Sequence, residues 1–96
     1  MKELPVPPAA RTDSAARELA RVWAAGGEQH VSLEIGLWPD PAAWGLLLVD
    51  LARHVANAYE RTKGQDASAS DVLARIREAF DAEWEAPTDS PSGGVR

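Results

Sequence analysis

A long apolar stretch between two strong helix boundary signals limits the folds that are open to this chain. Asp40 and Pro41 form the start signal, since aspartate caps helices and proline is tolerated at the first helical position. Gly64 supplies the stop signal. The spacing predicts a helix over about Pro41–Lys63, with an apolar arc made of Trp44, Leu47, Leu48, Leu51, Ala52, Val55 and Tyr59.

Upstream of this helix, apolar and polar residues alternate from Val31 to Leu37. A period of two predicts a half-buried β-strand. A strand cannot satisfy its backbone donors and acceptors alone, so it needs a partner. One candidate is the N-terminal arm around Leu4 to Val6, and the other is the same strand of a second copy across a two-fold axis.

Two further helices are predicted from apolar residues at helical spacing. The first follows possible N-caps at residues 12–14 and is ended by Gly26–Gly27. The last begins after Ser68, where Asp71 completes a capping-box pattern, and ends before Pro87. Their apolar faces consist of Ala15, Ala16, Leu19, Val22 and Trp23 in the first helix, and of Leu73, Ile76, Phe80 and Trp84 in the last.

The predicted fold class is α+β, with three amphipathic helices and one strand in the order α-β-α-α. A chain of 96 residues has room for one hydrophobic core, which we place in a single globular domain at residues 12–87. Residues 1–11 contain three prolines and are predicted to form an extended arm. Residues 88–96 are rich in Ser, Pro and Gly and are predicted to be a disordered tail.

Charge and composition argue against several classes of function. The net charge is -5, and the ten Lys and Arg residues form no basic stripe, so no nucleic-acid partner is expected. No run approaches the roughly 20 apolar residues of a membrane span, so no membrane partner is expected either. The absence of cysteine excludes disulfides and thiolate chemistry, and we expect a cytoplasmic location.

The segment from Trp38 to Tyr59, WPDPAAWGLLLVDLARHVANAY, resembles a family of short proteobacterial proteins classed as a domain of unknown function. The N-terminal LPVPP and the FDAEW near the C-terminus share this resemblance, which thus covers most of the chain. The resemblance implies the element order helix, strand, helix, helix. It implies no activity, ligand or catalytic residue.

Asp50 and His54 form the one pair with a catalytic pattern. They lie four residues apart on the predicted long helix, where a carboxylate can orient an imidazole as a general base. No hydroxyl or thiol nucleophile accompanies them, and an ordinary surface contact has the same spacing, so we predict no catalytic residue. His30 and His54 fall short of the three or four ligands of a metal site. No metal and no cofactor are expected.

Four tryptophans are many for so short a chain. Trp23, Trp44 and Trp84 extend the apolar faces of predicted helices and are expected in the core. Trp38 falls on the polar side of the strand, where it either covers the start of the long helix or meets a partner. Leu46 and Val49 point away from the main apolar arc, so the long helix is expected to be covered on two sides.

Together these features predict a small, non-catalytic protein-interaction module that acts as a homodimer, with another protein as a second candidate partner. The alternative is a small-molecule binder or enzyme that uses the Asp50/His54 pair. The strand and the second side of the long helix define the predicted interface, which comprises Val31, Leu33, Ile35, Leu37, Trp38, Leu46 and Val49.

Overall fold

The computed structural model describes residues 2–63 and 67–88 of the chain. It contains three helices and two strands, which confirms a mixed helix-and-strand protein with three helices, in roughly the predicted order. In chain order the elements are α1 (Pro8–Thr12), β1 (Ala20–Ala25), β2 (Glu28–Leu33), α2 (Ala42–Lys63) and α3 (Ala69–Glu85). Within the described ranges, no helix combines the length and the apolar character that a bilayer crossing requires.

The first helix lies earlier than predicted. Helix α1 occupies the end of the proline-rich arm, with Pro8 in its first turn, where a missing N–H costs nothing. The predicted cap at Asp13 instead ends α1 in an extended conformation. Its carboxylate accepts a hydrogen bond from the Ala15 N–H at 2.9 Å. Of the residues chosen as helix caps, Thr12 ends α1, while Asp13 and Ser14 form a turn, which such side chains also favour.

The second half of the predicted first helix, Ala20–Ala25, forms strand β1. It pairs antiparallel with β2, with Val22 opposite Val31. The reason is the connection: Gly26 and Gly27 have φ values of +60° and +77°, as in the two-residue turns that join strands tightly. The glycine pair thus closes a β-hairpin where we had expected it to end a helix.

The predicted strand is real, but it is shifted towards the N-terminus. Strand β2 ends at Leu33, and the Glu34 N–H donates to the Leu19 carbonyl at 2.9 Å just beyond the pairing with β1. Its partner is β1, and among the described residues the N-terminal arm takes no part in this two-stranded sheet, so that part of the prediction is wrong. Pairing with a second copy stays a prediction.

The turn glycines give a test with an internal control. Gly27→Ala should destabilise the fold by about 1 to 2 kcal/mol, because an L-residue is strained in the left-handed region. The matched control is Gly45→Ala in α2, where a methyl group also meets nothing within 4 Å; there alanine should stabilise by up to about 1 kcal/mol. Urea unfolding measures both changes, and equal effects at the two positions would contradict the hairpin turn.

The long helix follows its prediction closely. The Ala42 N–H donates to the Asp40 carboxylate at 2.9 Å, so Asp40 caps the start of α2 as expected. Trp38 stacks edge-to-face on Trp44 in the first turn of α2, with ring centroids 5.3 Å apart. Trp38 therefore covers the helix start, which is one of its two predicted roles, and its contact with a partner stays a prediction. The predicted stop at Gly64 lies outside the described residues.

The chain divides into two compact units between Leu37 and Trp38. The first contains α1 and the β-hairpin, and the second contains α2 and α3, which contact each other. The single domain at residues 12–87 and the tail at 88–96 stay predictions, and residues 89–96 lie outside the described part of the chain. Across the described residues, only Ala56 in α2 is buried, at 1% exposure.

Candidate interaction surface

Helices α2 and α3 form a hairpin, and two side chains bond to the first turn of α3. The Glu60 carboxylate in the last turn of α2 accepts a hydrogen bond from the Ala69 N–H at 2.7 Å. The Ser68 hydroxyl accepts one from the Asp71 N–H at 3.1 Å, which is the cap predicted for α3. Both bonds satisfy free amide groups in the first turn of α3. They hold that turn beside the end of α2, as in an antiparallel helical hairpin.

Near the open end of this hairpin, one residue of each helix is expected to face the other helix. Val49 lies seven residues before the buried Ala56, and Phe80 lies seven after the half-buried Leu73. A shift of seven residues is nearly two whole turns, so each residue stays close to the contact stripe of its helix. Val49 and Phe80 should thus be covered, yet they are 49% and 47% exposed.

Leu46 and Trp84 extend the same side of the hairpin. Leu46 lies one turn before Val49, and Trp84 lies one turn after Phe80, so both are nearer to the open end. Each is rotated in the same sense about its own helix axis, and in antiparallel helices this brings both side chains to the same side of the hairpin. Trp84 is 73% exposed and Leu46 is 71% exposed. We call Leu46, Val49, Phe80 and Trp84 the exposed aromatic face.

The two rings of this face are ordered against each other. Phe80 and Trp84 are stacked, with centroids 5.7 Å apart and an interplanar angle of 22°. Aromatic pairs favour such stacked geometry when the rings are offset. The stack leaves one broad side in solvent. Trp84 had been expected in the core. In the structure it lies on the last turn of α3, where α2 does not cover it.

An open groove of about 410 Å³ lies towards the connected end of the hairpin. Val55 and Tyr59 of α2 line it together with Val72 and Ile76 of α3. Asp71 and Arg75 supply its polar lining. This volume lies within the range of small-molecule sites, but such sites usually enclose most of their ligand.

Asp50 and His54, the predicted catalytic candidates, are both exposed on α2. Neither joins the groove lining. Over residues 2–63 and 67–88, no hydrogen bond connects the two side chains, and no three acidic or histidine side chains gather as metal ligands do. The catalytic use of this pair therefore stays an untested alternative.

The predicted interface residues are spread over both units. Val31 and Leu33 are half-buried on one side of β2, while Ile35 and Leu37 lie beyond its end and are exposed. Leu46 and Val49 belong to the exposed aromatic face. Sequence reasoning missed Phe80 and Trp84 because they continue a regular apolar face. The available signal was that a single neighbouring helix is too little to cover that face.

Comparison with known proteins decides the family. A family model described as "Domain of unknown function (DUF5076)" matches residues 3–88. The chain belongs to this family. This confirms the resemblance to a family of unknown function, whereas the proteobacterial distribution stays a prediction.

A solved structure with the same fold accompanies this family match. It is described as that of "a putative pyruvate dehydrogenase from the photosynthetic bacterium Rhodopseudomonas palustrus CGA009". The two chains share 36% sequence identity with a TM-score of 0.76, over 96% of this chain and 92% of that one. Among curated proteins, none matches this member of the family.

Proposed function

We propose that this protein is a small, non-catalytic protein-interaction module that acts as a homodimer. One observation supports it most: of the described residues only Ala56 is buried, while large apolar side chains on both helices stay in solvent. A domain of this size is marginally stable even with a complete core, and association is a common supplement. A chain that leaves its core open is therefore expected to complete it with a partner.

The hydrophobic effect gives the physical reason for association. Burying one large aliphatic or aromatic side chain stabilises a protein by about 1.5 to 3 kcal/mol relative to leaving it exposed. Leu46 and Trp84 are each more than two-thirds exposed, so most of this stabilisation is absent in the single chain. Exposed apolar patches of this kind mark association sites in folded proteins.

The cytoplasmic location expected from the cysteine-free sequence is part of this proposal. So is the choice of an interaction module over an enzyme, which is supported by the scattered positions of the polar candidates and by a groove that leaves its contents open to solvent. The description "putative pyruvate dehydrogenase" belongs to the similar structure and is not carried over to this chain.

Multi-angle light scattering after gel filtration tests the proposal on the full chain at micromolar concentration. The chain mass is 10.3 kDa, so the expected result is a species of twice that mass. A single species of 10.3 kDa at every concentration would refute the homodimer. Stable dimers of standard interface size commonly persist well below micromolar concentrations, which makes this range sufficient.

A further inference from the structure

The homodimer proposed above leaves open which surface the two copies share. We propose that the second copy packs on the exposed aromatic face, across a two-fold axis, so that the two helical hairpins form a four-helix bundle. This inference rests on the proposed function and assigns its interface to Leu46, Val49, Phe80 and Trp84. Three properties of this face favour a second copy over a foreign partner.

The first property is that the apolar surface of the hairpin is uncovered in every single chain. Two helices that form only one hairpin layer leave a side of each apolar face open, and stable domains need a second layer against it. A second copy of the chain is the one partner that is present whenever the chain is made. Because a two-fold interface uses the same patch on both copies, one contact covers both faces at once.

The second property is the size of the face. The four side chains expose roughly 450 Å² per copy, taking the usual areas of aromatic and aliphatic side chains. This supplies more than half of the about 800 Å² that each partner contributes to a standard interface. The flanking turns of α2 and α3 supply further area. Its apolar, aromatic composition matches that of permanent homodimers, whose interfaces resemble a divided core.

The third property is the charge around the face. The charged side chains that border it by helical spacing are Asp50 and Arg53 on α2, and Arg77, Asp81 and Glu83 on α3, where Arg77 Nε donates to the Asp81 carboxylate at 2.9 Å. This border mixes two positive with three negative charges, whereas the whole chain carries a net charge of -5. Two copies therefore meet here with less repulsion than their acidic surfaces produce elsewhere.

A matched pair of leucine substitutions in α2 tests the assignment. Leu46 lies in the face, and Leu51 is 51% exposed but rotated by about 140° around the helix. Leu46→Glu should raise the dimer dissociation constant at least about 30-fold, as expected when a charge enters the centre of an interface. Leu51→Glu should change it less than about threefold. Sedimentation equilibrium measures the constant, and circular dichroism verifies the helices.

The outcomes separate this inference from the proposal on which it rests. If the unmodified chain is monomeric, the homodimer itself fails. If the unmodified chain is dimeric and the two glutamate variants dissociate equally, the homodimer stands and the assigned face is overturned.

Should Leu46→Glu lose helix content, cysteine cross-linking gives the second measurement, because the natural chain has no cysteine. Val49→Cys treated with a short bis-maleimide should yield covalent dimers, and Leu51→Cys should yield almost none. A reversed yield would overturn the assigned face.

Discussion

Ala56→Asp is expected to unfold the helical hairpin, with a loss of at least about 3 kcal/mol of stability. Ala56 is 1% exposed and is the only buried residue in the described parts of the chain. Aspartate there would place a carboxylate out of water, at a position on α2 that leaves almost no surface in solvent. Total stabilities of small domains are only about 5 to 15 kcal/mol, so this change alone removes much of the folded population.

The control for this substitution lies two residues away on the same helix. Ala58→Asp introduces the same side chain at an exposed position, so its cost should be limited to helix propensity, about 0.7 kcal/mol or less. Circular dichroism during urea unfolding compares the two variants. If both variants are equally stable, Ala56 is not at the contact between the helices, and the described hairpin would be wrong.

The parts of the fold that could be predicted are those governed by local signals. The Asp40 cap, the long helix α2 and the Ser68 cap of α3 each depend on residues within a few positions of one another. These interactions need no partner from a distant part of the chain. The predicted ends of α2 and α3 fall within two residues of the observed ends for the same reason.

The error at Ala20–Ala25 has a different origin. Trp23 and Val22 fit one face of a helix, and the alanines around them favour helix over strand. Pairing with β2 overrides this preference, because the glycine turn brings the two segments into register and satisfies the backbone of both. The same two glycines end helices or close hairpins, and their local sequence does not distinguish between these outcomes.

The exposed aromatic face was half predicted. Leu46 and Val49 were recognised because they break the apolar arc of α2, which is a feature of one helix. Phe80 and Trp84 follow the arc of α3 without a break, so periodicity places them in a core. That they are exposed depends on which other elements reach the end of α3, and this is a tertiary property that the spacing of residues does not contain.

Association that completes a core makes stability depend on concentration. If the folded state is a dimer and the unfolded state is a monomer, each tenfold dilution removes about 1.4 kcal/mol of apparent stability. A dilution of 100-fold should therefore lower it by about 2.8 kcal/mol, which moves the thermal midpoint of a chain this size by several degrees. Because Leu46→Glu weakens the contact through the exposed aromatic face, its apparent stability should depend less on concentration.

The thermal midpoint of the unmodified chain, followed by circular dichroism from about 1 to 100 μM, tests the homodimer most directly. We expect a midpoint that rises steadily with concentration, and a smaller rise for Leu46→Glu over the same range. A midpoint that stays constant across the whole range would show that the single chain is stable by itself, and would contradict the claim that a second copy completes its core.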